Sequence, residues 1–275
     1  MSAQEKLAAA VAHHGPLCIG LDPDRERLPD CVRGDVATFL REIIAATTDV
    51  ACAYKINSAF FESMGLDGSA GEDVLAKVRK ALPESALFIW DGKRGDIQNT
   101  NRHYAQAAFD VLGADAVTVH PYLGIEPLQP FLRYRDRLTF ILCATSEGSQ
   151  MQDLCIHCTG DGSAPQPIWQ WVAQNVAEIS EGQCGLVVGA TQPDRLAWVR
   201  KVAPQLPLLL PGVGAQGGAI PSQGSGAPIL INASRSILYA SAGVDFAAAA
   251  RAAALSLRAA CTAPAGHPAA QPPVG

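Results

Sequence analysis

The sequence predicts an α/β chain folded as a single (β/α)8 TIM barrel, and three observations carry that expectation. Short apolar runs recur eight times, stretches of helical spacing separate most of them, and the first three end in charged residues. Alternating strands and helices demand a parallel sheet covered on both faces. Eight units of one kind point to closure into a barrel. An open doubly wound sheet is the alternative, but no G-x-G-x-x-G follows the first strand, which lowers its dinucleotide-binding form. The 275 residues suit one barrel, which commonly takes about 250. The expected division is a barrel domain over 1–260 and a flexible tail, rich in Pro, Ala and Gly, over 261–275.

Taken in order, Ala3 to Val11 reads as a helix stopped by His13-His14-Gly15-Pro16. Leu17-Cys-Ile-Gly-Leu-Asp22 reads as a strand ending in an acid, with Cys18, Gly20 and Asp22 on one face. Pro23 to Asp35 is loop-like and Val36 to Thr48 helical. Val50-Ala-Cys-Ala-Tyr-Lys-Ile-Asn57 makes a second strand whose small residues Ala51 and Ala53 lead to Lys55. Glu72 to Lys80 is helical again.

The third run organises the rest. Leu87 to Trp90 is apolar with β-branched and aromatic residues, and it breaks into Asp91, Lys93, Arg94 and Asp96. Alternation puts Leu87, Ile89, Asp91 and Lys93 on one face, with Asp91 and Lys93 Cα atoms roughly 6.6 Å apart at ~3.3 Å per residue. A carboxylate and an ammonium thus meet at the carboxyl end of a buried strand, where α/β proteins place their chemistry. A surface ion pair is the blander reading, but the acid begins while the apolar pattern is still strong.

Thr100 to Leu112 is the next helix, with Thr100 the expected N-cap and Gly113 the C-cap. Strands then read at Ala116 to His120, Leu138 to Cys143, Gly185 to Gly189, Leu208 to Gly212 and Pro228 to Asn232. Helices read at Trp169 to Ile179, Pro193 to Val202 and Asp245 to Ala260.

Composition narrows the function classes. Hydrophobic content of 48% and charged content of 17% suit a soluble protein with a sizeable core. A net charge of -5 offers no general nucleic-acid surface. No apolar run approaches the ~20 residues of a membrane span, and the N-terminus carries no basic-then-apolar secretory pattern. Of eight cysteines, Cys18, Cys52, Cys143 and Cys184 fall in or beside strands, where a free thiol behaves as a small hydrophobe. The expected compartment is therefore the reducing cytoplasm. Cys155-Ile-His-Cys158 matches C-x-x-C, but no second pair stands at zinc-finger spacing.

In a barrel, the carboxyl ends of all strands gather at one mouth. The first three strands then deliver Asp22, Lys55, Asp91 and Lys93, alternating charges that sum to zero and leave none stranded. Opposite them, Pro211-Gly-Val-Gly-Ala-Gln-Gly-Gly218 follows the seventh strand, with backbone N–H groups able to approach an anion and Gln216 as an amide donor. Arg235 follows the eighth strand and brings a forked cation suited to phosphate. Phosphate sites at these two strands are frequent in barrels. Thr145-Ser146 ends the fifth strand with hydroxyls. His120, after the fourth, is as readily a packed residue as a base.

Asp91-Gly-Lys-Arg-Gly-Asp-Ile97 with Thr100 closely resembles the D-x-K-R-G-D-I-x-x-T signature of the orotidine 5'-phosphate decarboxylase family, in its longer bacterial subgroup. Leu21-Asp22, Tyr54-Lys55, His120-Pro-Tyr-Leu-Gly124, Thr145-Ser146, Pro211 to Gly217 and Ser234-Arg235 fall in family order. The resemblance implies a lyase that converts orotidine 5'-phosphate to UMP and CO2 in pyrimidine synthesis, with neither metal nor organic cofactor. It implies that Asp22 and Lys55 bind ribose hydroxyls, that Asp91 faces the substrate carboxylate, and that Lys93 protonates the ring carbon. It further implies a homodimer in which Asp96, with Ile97 and Thr100, reaches the partner's site. Ser146 would contact the pyrimidine, and Gln216 and Arg235 the phosphate. Two departures stand out: Ser234 precedes Arg235 where shorter members often have Gly, and the segment after Ser146 lacks a proline often found there.

Three rivals remain open at this level. A related phosphosugar decarboxylase or aldolase of the same superfamily resembles D-x-K-x-x-D, but uses Mg²⁺ and places an acid where Lys55 stands. A Schiff-base lyase is disfavoured because Lys55 and Lys93 have carboxylate neighbours that keep them protonated. A barrel that has lost catalysis and only binds nucleotides is disfavoured because every charged position of the motif is present.

Overall fold

The computed structural model describes residues 1–65, 70–145, 149–156, 165–212 and 226–262. Among these, eight strands close a parallel barrel: β1 Leu17–Gly20, β2 Ala53–Asn57, β3 Leu87–Arg94, β4 Ala116–Val119, β5 Leu138–Ala144, β6 Cys184–Val188, β7 Leu208–Pro211 and β8 Ile229–Ala233. Each strand pairs with its sequence neighbours, and β8 closes on β1 through Leu17↔Ile231, Cys18↔Asn232 and Ile19↔Ala233. The expected fold class holds. A two-residue antiparallel pair, Cys155–Ile156 with Gln166–Pro167, lies outside the barrel.

The longer helices are α1 Ala3–His14, α2 Val36–Thr47, α3 Ala70–Ala81, α4 Gln98–Gln106, α5 Ile168–Ile179, α6 Pro193–Val202 and α7 Phe246–Thr262. Helix α1 starts on a capping box, Ser2 with Glu5, and stops at Gly15, whose φ of 77° only glycine adopts freely. The unit between β4 and β5 is shortest, a 3₁₀ turn Glu126–Leu128 running into Gln129–Leu132. Helix α7 runs two residues past the expected 260 boundary, with Cys261 buried. Residues 263–275, the rest of the expected tail, lie outside the described residues.

Two of the boundaries that differ from expectation have clear local reasons. Strand β2 begins at Ala53 rather than Val50, because the N–H groups of Val50 and Ala51 close the end of α2 onto the Thr47 carbonyl. Helix α4 begins at Gln98, so Thr100 sits inside its first turn; the N-cap is Ile97, whose side chain makes no cap bond.

The barrel interior is filled by Cys18, Ala53, Leu87, Ile89, Ala116, Leu138, Phe140, Val187, Leu209 and Leu230. Ala3, Leu7 and Ala10 of α1 belong to the same cluster, so the N-terminal helix stops the floor of the barrel. Gly185 is glycine because a Cβ there would lie 2.6 Å from the Phe140 ring. Two further clusters fill the space between strands and outer helices, one around β1 and β2, the other around β4 to β7. With floor and walls apolar, the polar inward positions concentrate at the opposite end.

Candidate active site

That end gathers the charges. Asp22 lies just past β1, Lys55 on β2, and Asp91 and Lys93 on β3. The Lys55 Nζ donates to Asp91 Oδ2 at 2.7 Å and lies 3.7 Å from Asp22 Oδ2. The Lys93 Nζ donates to Asp91 Oδ1 at 2.7 Å. Acid and base alternate along one connected row. The Asn57 N–H donates to Asp22 Oδ1 at 3.3 Å and holds the first acid over the second strand.

Exposure separates the two lysines. The Lys55 side chain is 6% exposed and that of Lys93 48%, while Asp91 between them is 6% exposed. Lys55 is thus enclosed between Asp22 and Asp91, whereas the Lys93 ammonium is half exposed. Burial alone would push the Asp91 carboxyl up, but Lys55 and Lys93 outweigh it and hold the acid well below the usual carboxylate range. Burial alone would likewise lower Lys55, yet Asp91 and Asp22 raise it above its ordinary value. Both groups are therefore charged across the neutral range.

Alternation correctly turns Asp91 and Lys93 inward, but β3 is not regular there. Its register on β4 passes from Trp90↔Val117 to Arg94↔Val119, so Asp91, Gly92 and Lys93 face Thr118 alone. Lys93 takes φ 45°, a left-handed conformation found among the described residues at one other non-glycine, Arg33. Thr118, read from the sequence only as part of a strand, is 2% exposed; it donates to Asp91 Oδ1 at 2.7 Å and accepts the Lys93 N–H at 3.0 Å. The signal was present: a hydroxyl at an inward position of an otherwise apolar strand.

Asp96, Ile97 and Thr100 form the rim after β3. The Ile97 N–H donates to Asp96 Oδ1 at 2.7 Å, and Ile97 is 59% exposed. Asn101, also missed from the sequence, is fully buried beneath them and bonds both the N–H and the carbonyl of Asp96. His120 packs its ring on Gly95, where a Cβ would come within 2.5 Å, and its Nδ1 accepts the Tyr122 N–H. The packed reading of that histidine is the one observed.

Across the mouth, Ser234 follows β8 and donates its hydroxyl to the Gly20 carbonyl at 3.0 Å, closing the seam with β1. Gly20 has no room for a side chain, since Ser234 and Asp22 both converge on it. Arg235 opens the short helix Arg235–Leu238, is exposed, and makes no ion pair among the described residues. Ser146 and Gln216 lie outside the described residues, as does Cys158. Thr145 receives the Gln152 amide at 2.5 Å. Cys18, Cys52, Cys143 and Cys184 are buried free thiols, and burial pushes Cys18 up to about 12. The described residues contain no group of three or more His, Cys, Asp or Glu able to hold a metal, and no helix long and apolar enough to cross a membrane.

Residues 15–255 match the family model described as Orotidine 5'-phosphate decarboxylase / HUMPS family. The chain is 46% identical over 272 residues to orotidine 5'-phosphate decarboxylase of Thermomicrobium roseum, with 94% of each chain covered. It is 45% identical over 260 residues to that of Herpetosiphon aurantiacus, covering 91% of this chain and 94% of the relative. Among solved structures, OMP decarboxylase of Leishmania donovani matches with a TM-score of 0.75 at 36% identity, over 95% of this chain and 99% of that one. With a closed barrel, an alternating charged row at its mouth and relatives this similar from end to end, the chain belongs to the orotidine 5'-phosphate decarboxylase / HUMPS family.

Proposed function

We propose that this protein is a carboxy-lyase that converts orotidine 5'-phosphate to UMP and CO2 in pyrimidine biosynthesis. The observation that carries the reading is the half-exposed Lys93 ammonium, fixed 2.7 Å from a buried, charged Asp91 at the barrel mouth. Loss of CO2 leaves a carbanion in the plane of the pyrimidine, where the ring's π system stabilises it poorly. An ammonium already in place offsets that charge without waiting for solvent to reorganise. Lys93 then delivers a proton to the carbon.

Asp91 beside the substrate carboxylate costs about 4 kcal/mol at ~4 Å and an effective dielectric near 20, part of which is relieved as CO2 departs. Catalysis of this kind needs roughly 8–23 kcal/mol, so the repulsion is a minor contribution and the fixed ammonium the larger. In this reading Asp22 and Lys55 hold ribose hydroxyls, Ser146 the pyrimidine, and Gln216 and Arg235 the phosphate, with Ser234 shaping the approach to Arg235. Remote phosphate binding supplies energy to order the site. The proposal includes a homodimer, with Asp96, Ile97 and Thr100 completing the partner's site, and a cytoplasmic location.

The magnesium-dependent rival of the same family is disfavoured by an ammonium where that branch needs an acid: Lys55 lies between Asp22 and Asp91. The test is a spectrophotometric assay of orotidine 5'-phosphate loss, with and without EDTA. We expect EDTA-insensitive conversion to UMP, with Lys93→Ala lowering kcat by at least about 10³-fold. Absence of conversion by the unaltered protein, or full activity of the alanine variant, would overturn the reading.

A further inference from the structure

We infer that Thr118 is a positioning residue that keeps Asp91 and Lys93 in their reactive arrangement, an inference that rests on the decarboxylase reading. In a regular parallel pair, Asp91 would face Thr118 and Lys93 would face His120, two residues or about 6.6 Å further along the strand. Instead three residues of β3 face Thr118, and Lys93 is retained at the level of Asp91. That compression brings the Lys93 N–H against the Thr118 side chain. The Thr118 hydroxyl takes it at 3.0 Å and donates its own proton to Asp91 Oδ1 at 2.7 Å.

One buried hydroxyl therefore links the backbone of the cation to the side chain of the anion. Its donor and one acceptor site are both used. The geometry it secures is a left-handed backbone at a residue carrying a Cβ, sparsely populated unless the surroundings over-determine it. Asp91 is held on its other oxygen by Lys55, so removal of the hydroxyl leaves the acid anchored and frees the Lys93 turn. Thr118 needs no contact with substrate to act; it acts through where the Lys93 ammonium lies.

The test compares Thr118→Val, which keeps the shape and removes the hydroxyl, with Thr118→Ser, which keeps the hydroxyl. Steady-state kinetics with orotidine 5'-phosphate are normalised to folded protein by near-ultraviolet circular dichroism. We expect the valine variant to lose roughly 10–100-fold in kcat with KM within about threefold, and the serine variant to stay within about threefold of the unaltered protein. Unchanged kcat in the valine variant, or equal impairment of both, would overturn the inference. Should the valine protein not fold, Thr118→Ala takes its place under the same two outcomes. Inactivity of the unaltered protein would instead fail the decarboxylase reading, so the two failures are told apart.

Discussion

Asp91 accepts three hydrogen bonds while almost wholly buried: from Lys93 and Thr118 on one oxygen and from Lys55 on the other. A buried carboxylate of this kind stays ionised only because its partners outweigh desolvation. The sign of the pH dependence follows. Asp91 is depressed in the folded state, so its contribution is full above the unfolded value near 3.9 and fades as pH falls toward the folded one. Lys55 is raised, so its contribution is full below about 10.4 and fades as pH climbs past it. We expect Lys55→Met to destabilise the fold by about 3–5 kcal/mol at pH 7, by leaving Asp91 short of a counter-charge. The gap should narrow as pH is lowered toward 3, because the variant's Asp91 protonates more readily. Urea unfolding of both proteins across that range is the measurement, and a gap that widens in acid would contradict the assignment.

Between β3 and α4, the turn carrying Asp96 is shaped by one side chain. Asn101 accepts the Asp96 N–H at 3.0 Å and donates to the Asp96 and Pro127 carbonyls at 2.6 and 2.8 Å. It thus ties the rim after β3 to the rim after β4. Asn101→Ala leaves those backbone groups unpaired in a buried place, and we expect a loss of about 2–3 kcal/mol in chemical denaturation. Spacing places an N-cap at Thr100, whereas the observed N-cap is Ile97, three residues earlier. A long-range amide to Pro127, not a local cap, organises this entry, and no windowed pattern contains it.

For the whole molecule, α1 is part of the barrel rather than an appendage. Leu7 is fully buried in the interior cluster, Lys6 pairs with Asp115 at 2.7 Å, and the Ala3 N–H reaches the Asp136 carbonyl. Opening the floor would let water reach the apolar layers beneath the charged row. Leu7→Ala should cost about 2–5 kcal/mol, read from thermal or urea unfolding, with the mouth geometry unaffected at moderate temperature.

The sequence by itself determined the repeat: eight apolar runs and their helices, and with them the barrel, because periodicity is a local consequence of which face is buried. It also placed Asp22, Lys55, Asp91 and Lys93 at strand ends, since closure brings those ends together whatever the side chains. Only the tertiary structure decided that Lys55 is enclosed while Lys93 is open, that β3 is compressed against β4, and that Thr118 and Asn101 are the residues holding the charged turn. Those features depend on register and on contacts between segments distant in the chain, and a hydroxyl or amide reads alike in one dimension whether it faces solvent or a buried carboxylate.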